Sequence, residues 1–126
     1  MKKELPKEAA CLFCKIAAKE IPAKIAYEDE SVVAFADINP LAPIHLLIIP
    51  RKHVSSLNEL EKGEELLLGR MLKVAVTLAK KQGIAAGGYK LLIRTGEHGG
   101  QEVPHVHLHL IGGAPLEETI RVRKTL

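Results

Sequence analysis

Tryptophan is missing from the 126 residues, and two phenylalanines and two tyrosines make up the whole aromatic content. A core must therefore rest on Leu, Ile, Val and Ala, and the 47% apolar share is ample for one. Few aromatics also argue against a nucleic-acid surface, where stacking side chains stand among clustered cations. Here 18 Lys and Arg are scattered and nearly balanced by 15 Asp and Glu. The resulting charge of +3 mildly favours anionic ligands and excludes no small-molecule chemistry.

Long hydrophobic runs are absent too. The longest apolar stretch, Ala42 to Pro50, is interrupted by His45 and is far shorter than the roughly 20 residues that span a bilayer. Met1 to Lys19 is charged throughout and has no apolar signal core. The expectation is a cytoplasmic protein with no membrane partner. Two cysteines, Cys11 and Cys14, cannot build a disulfide framework, and a reducing compartment would keep them as thiols. The length fits a single domain over 1–126, with a loose segment at 1–8 and a tail at 114–126.

The pattern predicts a helix over Ala9 to Lys19, ended by Pro22. Strands are expected at Ile25 to Glu28, Val32 to Ile38 and Ile44 to Ile49, with Asn39-Pro40 turning between the last two. Glu61 to Gln82 reads as the longest helix, stopped by Gly83. Its apolar positions form two adjoining stripes, Leu67-Met71-Val74-Leu78 and Leu68-Leu72-Ala75-Ala79, widened by Leu66 and Val76. So wide an arc exceeds what one sheet face covers, and a homodimer is expected. Two further strands are expected, at Tyr89 to Arg94 and His105 to Ile111. Short links favour antiparallel pairing, so the fold class is α+β, a five-stranded antiparallel sheet with an N-terminal helix and one long helix.

Three of the six histidines lie in the five residues His105-Val106-His107-Leu108-His109. On a strand they share one face while Val106, Leu108 and Leu110 take the other. Three adjacent imidazoles are poor core material, because each has ring nitrogens that need partners. Imidazole is a neutral nucleophile or a cationic phosphate contact near neutrality, and it is also a zinc ligand. The spacing alone leaves both open. His45 stands out separately, as the one polar residue in an apolar strand.

The run His105 to Leu110 resembles the histidine-triad signature, three histidines alternating with apolar residues. The likeness continues through Ile111-Gly112-Gly113 and back through Gly99-Gly100-Gln101-Glu102-Val103. It also includes Cys11 to Ile16, Glu20 to Lys24, Phe35 to Pro40 and His45 to Pro50, so it covers roughly residues 11 to 113. Within the histidine-triad family, the nucleotide-binding, purine nucleoside phosphoramidase branch is the most similar.

That resemblance implies a nucleotide hydrolase acting on purine nucleoside 5′-phosphoramidates or related nucleoside monophosphate adducts. It implies that His107 attacks the α-phosphorus and forms a covalent nucleotidyl-imidazole, with His109 as phosphate contact and His45 in support. It places Gly100, Gln101 and Glu102 around the phosphate, Asp37 on the ribose hydroxyls, and Phe13, Ile16, Ile21, Phe35 and Ile38 around the purine. No cofactor is needed for that chemistry. A subset of the family holds a structural zinc, and the matching positions here are Cys11, Cys14, His53 and His105. A thioredoxin-like use of Cys11 and Cys14 is poorer, since no βαβ unit surrounds them.

Two positions depart from the family pattern. Arg94 stands where relatives commonly have asparagine, and Pro104 where they commonly have an aromatic residue. Arg94 adds a long cation beside the substrate and keeps a dinucleoside polyphosphate hydrolase open as an alternative. A non-enzymatic nucleotide-binding adaptor and a zinc-stabilised binding module are further alternatives.

Overall fold

The computed structural model describes residues 10–124. The loose segment expected at 1–8 and the first residue of the expected N-terminal helix lie outside these residues. Helix α1 (Leu12–Ala17) is followed by strands β1 (Ile25–Glu28), β2 (Val32–Ala36) and β3 (Ile44–Pro50). A short 3-10 turn at Leu57–Glu59 leads to helix α2 (Glu65–Lys81), then β4 (Tyr89–Leu92) and β5 (Leu108–Gly112). The five strands form one antiparallel sheet in the order β1-β2-β3-β5-β4. The chain crosses from β3 through α2 to the far edge, and β5 returns to fill the gap.

Strand alternation divides the core. Val32, Ala34, Leu46, Ile48, Val106, Leu108 and Leu110 face α2 and pack on Met71, Val74, Ala75, Leu78 and Ala79. Their neighbours Val33, Phe35, Leu47 and Ile49 face the opposite way and pack on Cys11, Phe13, Ile16 and Ala17 of the α1 region. The arrangement fits the preference of each strand to put alternate residues on opposite faces. His45, His107 and His109 carry the same parity as Leu47 and Ile49, so they emerge on the α1 side.

Several boundaries differ from the sequence reading, each for a local reason. Helix α1 ends before Pro22, because Lys19 turns to a left-handed φ of 63°. Helix α2 starts four residues later than expected, because Gly63 takes φ 90°, outside the helical region. Glu64 then closes the preceding turn, accepting the Glu61 amide at 2.7 Å. Strand β2 stops at Ala36, where the Asp37 carboxylate accepts the Asn39 amide at 2.8 Å and starts a turn. Strand β5 begins at Leu108, not His105, because its partner β3 is running out: Ile48 pairs with Leu108, and the Pro50 carbonyl is taken by a histidine ring instead.

Of the wide apolar arc on α2, Met71, Val74, Ala75, Leu78 and Ala79 are buried, whereas Leu66 is 85% exposed and Leu72 47%. Among the described residues no strand pairs with the outer edge of β4. No helix in the described residues is long and apolar enough to cross a membrane.

Candidate active site

Four polar residues form a row across one end of the sheet. Asp37 follows β2, His45 lies in β3, His109 in β5, and Arg94 just beyond β4. Register sets the row: His45 lies opposite Ile111 and His109 opposite both Leu47 and Leu92. His45 and His109 are therefore diagonal neighbours, close enough for their rings to meet. Asp37, His45, His109 and Arg94 line one cleft of about 380 Å³, together with His107, Gly100 and Glu102. Asn39, read from the sequence only as a turn residue, and Leu41, which the sequence did not single out, also line it.

Fixed donors and acceptors determine where the ring protons sit. The Leu41 amide donates to His45 Nδ1 at 3.0 Å, so a neutral His45 carries its proton on Nε2. That Nε2 lies 2.9 Å from His109 Nδ1 and 3.4 Å from Asp37 Oδ2. His45 therefore donates to His109, which in turn must carry its own proton on Nε2. His107 Nδ1 lies 2.7 Å from the His105 carbonyl and donates to it. This leaves His107 Nε2 as an open lone pair in the cleft.

The electrostatics fit neutral rings. Burial pushes His109 down to about 4, and His107, Arg94 and His45 push the same way against Asp37. Burial also lowers His107, opposed by its hydrogen bond to the His105 carbonyl. His45 is lowered chiefly by burial, with Asp37 opposing and Arg94 reinforcing.

The loop from Gly96 to Val103 holds its shape through Gln101. Its Oε1 accepts the Gly96 amide at 3.0 Å, and its Nε2 donates to the Ser55 and Val103 carbonyls at 2.6 and 2.9 Å. All three bonds go to backbone, so Gln101 braces the loop while its neighbours Gly100 and Glu102 line the cleft. Gly100 takes φ 83°, which favours glycine, and the Arg94 side chain runs across it.

Of the five residues matched to a purine pocket, Phe13, Ile16 and Phe35 are buried together on the α1 side. Ile21 packs at the rim of that cluster. Phe13 sets its ring edge-on to His107 with centroids 5.1 Å apart. Ile38 does not join them; it is 89% exposed and lines a neighbouring groove with Asp37 and His45.

A second cluster lies behind the triad. Cys11, Cys14, His53 and His105 bring one donor atom each to within 4.8 Å of one another. Cys11 Sγ is 3.3 Å from His105 Nδ1, and Cys14 Sγ is 3.2 Å from His53 Nδ1 and 3.5 Å from His105 Nδ1. Tetrahedral zinc with ordinary bond lengths would separate sulfur and nitrogen by about 3.5 Å. His105 Nε2 donates to the Pro50 carbonyl at 2.8 Å, which leaves Nδ1 as the ligating lone pair. Burial pushes His105 down to about 4, against that hydrogen bond, so the ring is neutral and fit to ligate. The donor set fits zinc. The Pro50 carbonyl was not foreseen; a proline bounding the strand expected at Ile44 to Ile49 was its only available sign.

Comparison with known proteins decides the lineage. Residues 10–121 match the family described as scavenger mRNA decapping enzyme, C-terminal binding. The chain is 50% identical over 105 residues to the purine nucleoside phosphoramidase of Escherichia coli K12, covering 83% of this chain and 88% of that protein. The chain belongs to the histidine-triad family.

Another relative of this histidine-triad protein is HitA of Neisseria gonorrhoeae, 52% identical over 102 residues, 81% of this chain and 94% of that one. Among solved structures, the HIT family hydrolase from Legionella pneumophila Philadelphia 1 superposes with a TM-score of 0.83 at 48% identity, covering 85% of this chain and 96% of that one. The histidine-triad protein from Clostridium difficile gives 0.85 at 40% identity, covering 87% and 96%. The expected α+β fold, with its five-stranded antiparallel sheet, is the fold these neighbours share. The chain is a histidine-triad hydrolase.

Proposed function

We propose that this histidine-triad hydrolase cleaves purine nucleoside 5′-phosphoramidates, or related nucleoside monophosphate adducts, through a covalent nucleotidyl-His107. The observation that carries the reading is the 2.7 Å bond from His107 Nδ1 to the His105 carbonyl, which orients an open Nε2 into the cleft. In the first step Nε2 attacks phosphorus, and the phosphorus–nitrogen bond breaks with its electron pair leaving on the amine. The amine takes a proton from water, while the neutral His109 keeps its Nε2–H as a hydrogen-bond donor. In the second step water attacks phosphorus, its surplus proton passes to solvent, and the Nε2–phosphorus pair returns to His107. One difficult displacement becomes two easier ones. Asp37 binds the ribose hydroxyls, Phe13, Ile16, Ile21 and Phe35 support the purine pocket, and the exposed Ile38 adds an apolar face from the neighbouring groove.

The deciding experiment quenches wild type and His107→Ala in acid after mixing with adenosine 5′-phosphoramidate, and weighs the protein. A nucleotidyl adduct on wild type alone, decaying to adenosine monophosphate, supports the reading. Undiminished turnover by His107→Ala overturns it.

Zinc, where bound, would be held by Cys11, Cys14, His53 and His105 and would supply a structural tie between α1 and the catalytic segment. The chain would act as a homodimer through exposed Leu66 and Leu72 on α2 and the free edge of β4. Sedimentation should then return twice the 13.8 kDa of one chain. Cys11 and Cys14, as reduced thiols, suit a reducing, cytoplasmic setting.

A further inference from the structure

The three cationic arginine groups on the sheet's flanks are not equivalent. Arg51 donates to the Asp29 and Ala17 carbonyls and to Glu28, at 2.7 to 2.9 Å. Arg70 is held by the Asp29 carboxylate at 2.6 Å. Arg94, half-buried at the mouth of the cleft, has no carboxylate within ion-pairing distance among the described residues. Its Nη1 instead lies 3.3 Å from His109 Nε2.

That contact joins two donors. The chain of bonds from the Leu41 amide through His45 puts the proton of His109 on Nε2, and a guanidinium nitrogen never accepts. Two N–H groups face each other with no acceptor between them. An anionic oxygen placed there would accept from both, a charge-assisted and therefore strong pairing.

The row of side chains also has a direction. Its carboxylate end is Asp37 and its guanidinium end is Arg94, with the two imidazoles between. Beyond Arg94 a second cleft of about 320 Å³ continues, sharing Leu41 and Arg94 with the first. Leu92, Leu116 and Ile120 give it apolar lining, and Lys90 lies there ion-paired to Glu118 at 2.8 Å and donating to the Glu117 carbonyl, so Arg94 is the cation of this cleft left without a carboxylate partner among the described residues. A nucleotide with its ribose at Asp37 and its phosphorus at His107 would send its leaving group past Arg94 into this second cleft.

We infer that Arg94 selects substrates whose leaving group carries an anionic oxygen group, a carboxylate or a phosphate, next to the scissile bond. The inference rests on the nucleotide hydrolase reading above. Arg94 and His109 Nε2–H clamp that group, and the rest of the leaving group occupies the cleft beside Lys90. Amino-acid phosphoramidates supply the carboxylate form, and dinucleoside polyphosphates supply the phosphate form.

The test uses a matched pair, adenosine 5′-phosphoramidates with glycine or with glycinamide as the amine, which differ in one charge at nearly constant size. Wild type should favour glycine by about tenfold or more in kcat/KM, the scale of one charged hydrogen bond. In Arg94→Met the ratio should fall towards one, and Arg94→Lys should restore part of it. Each ratio is taken within one variant, so partial misfolding cancels. Diadenosine tetraphosphate serves as the third arm. Arg94 dependence confined to it names phosphate as the natural anion, and dependence confined to the glycine pair names carboxylate. A glycine preference that Arg94→Met leaves unchanged, or a ratio near one in wild type, overturns the inference when turnover of diadenosine tetraphosphate is equally insensitive to Arg94→Met. The same ratios are read as equilibrium affinities on a His107→Ala background with and without Arg94→Met. Absence of any turnover would then sink the hydrolase reading, while the affinities still decide the role of Arg94.

Discussion

The main-chain carbonyl of His105 accepts the Nδ1 proton of His107 at 2.7 Å, so one triad member's backbone fixes the next member's tautomer. Two residues apart on an extended segment, they use different parts of themselves. The ring of His105 turns to the thiols and its carbonyl to His107. Any distortion of the thiol cluster is thereby transmitted to His107 through a single residue, Val106, which is itself 2% exposed and held by the Val54 carbonyl at 2.8 Å.

Removing the His107 ring, the proposed nucleophile, should be far costlier than removing its supports. His107→Ala is expected to lower kcat/KM for a phosphoramidate by about 1000-fold or more, with nucleotide affinity changed little. Steady-state kinetics beside calorimetric binding of adenosine monophosphate measures both. A loss of under tenfold would contradict nucleophilic catalysis by this ring.

His45 should act through His109. With His45→Ala, nothing fixes the proton of His109 on Nε2, and kcat should drop by about 10- to 100-fold while KM moves little. His45→Gln, whose amide N–H can replace the Nε2–H donor, should recover part of the loss. A KM effect without a kcat effect would mean that His45 merely shapes the cleft.

The pH profile has a defined sign. Burial is the main cause that lowers His107, so its open nitrogen stays unprotonated from neutrality down past the ordinary imidazole value of about 6.5. Activity should be level through neutral pH and fall on acidification, with its acid limb below about 6.5 as His107 gains a proton and loses its lone pair. An acid limb centred above that value in kcat/KM would assign the wrong environment to His107.

Much of this site is legible in the sequence because strand parity is arithmetic. His107 and His109 alternate with Val106, Leu108 and Leu110, so a period of two puts these two on one side, and the register of β2, β3 and β5 then brings Asp37 and His45 to them. The Cys11 and Cys14 pair is legible only as a pair. Its meeting with His53 and His105 depends on where β3 ends, which pairing along the sheet decides and local composition does not. Gln101 illustrates the other limit. A glutamine beside two glycines reads as a phosphate ligand, yet its amide is spent on the Ser55, Gly96 and Val103 backbone. The delayed start of α2 has the same origin, since helix propensity in Glu61 to Glu64 is overridden by the positive φ of Gly63.

The thiol cluster should bind metal in measurable amount. Protein purified without added zinc is expected to contain about one zinc per chain by elemental analysis. Cys14→Ser should lower Tm by about 5 °C or more, because metal affinity and folding are coupled. Absence of zinc together with an unchanged Tm on adding it would leave the four donors as an ordinary hydrogen-bonded cluster.

Asp29 sets a test of stability against pH at the opposite end of the sheet. Burial opposes its ionisation, but hydrogen bonds from Tyr27, Arg70 and the Ser31 and Val32 amides outweigh that and hold its carboxyl below the usual carboxylate range. A group whose folded value is depressed adds stability above its unfolded value of about 3.9, and that stability is lost as pH falls towards the folded value. The Asp29→Asn variant should therefore be less stable than wild type by about 1 to 2 kcal/mol near neutrality, since it loses its charged bonds to Arg70. The gap should hold down to about pH 5 and narrow below about pH 4. Urea midpoints of both proteins at several pH values measure it. A gap that is constant from neutrality to pH 3 would mean that the Asp29 contribution is steric and not ionic.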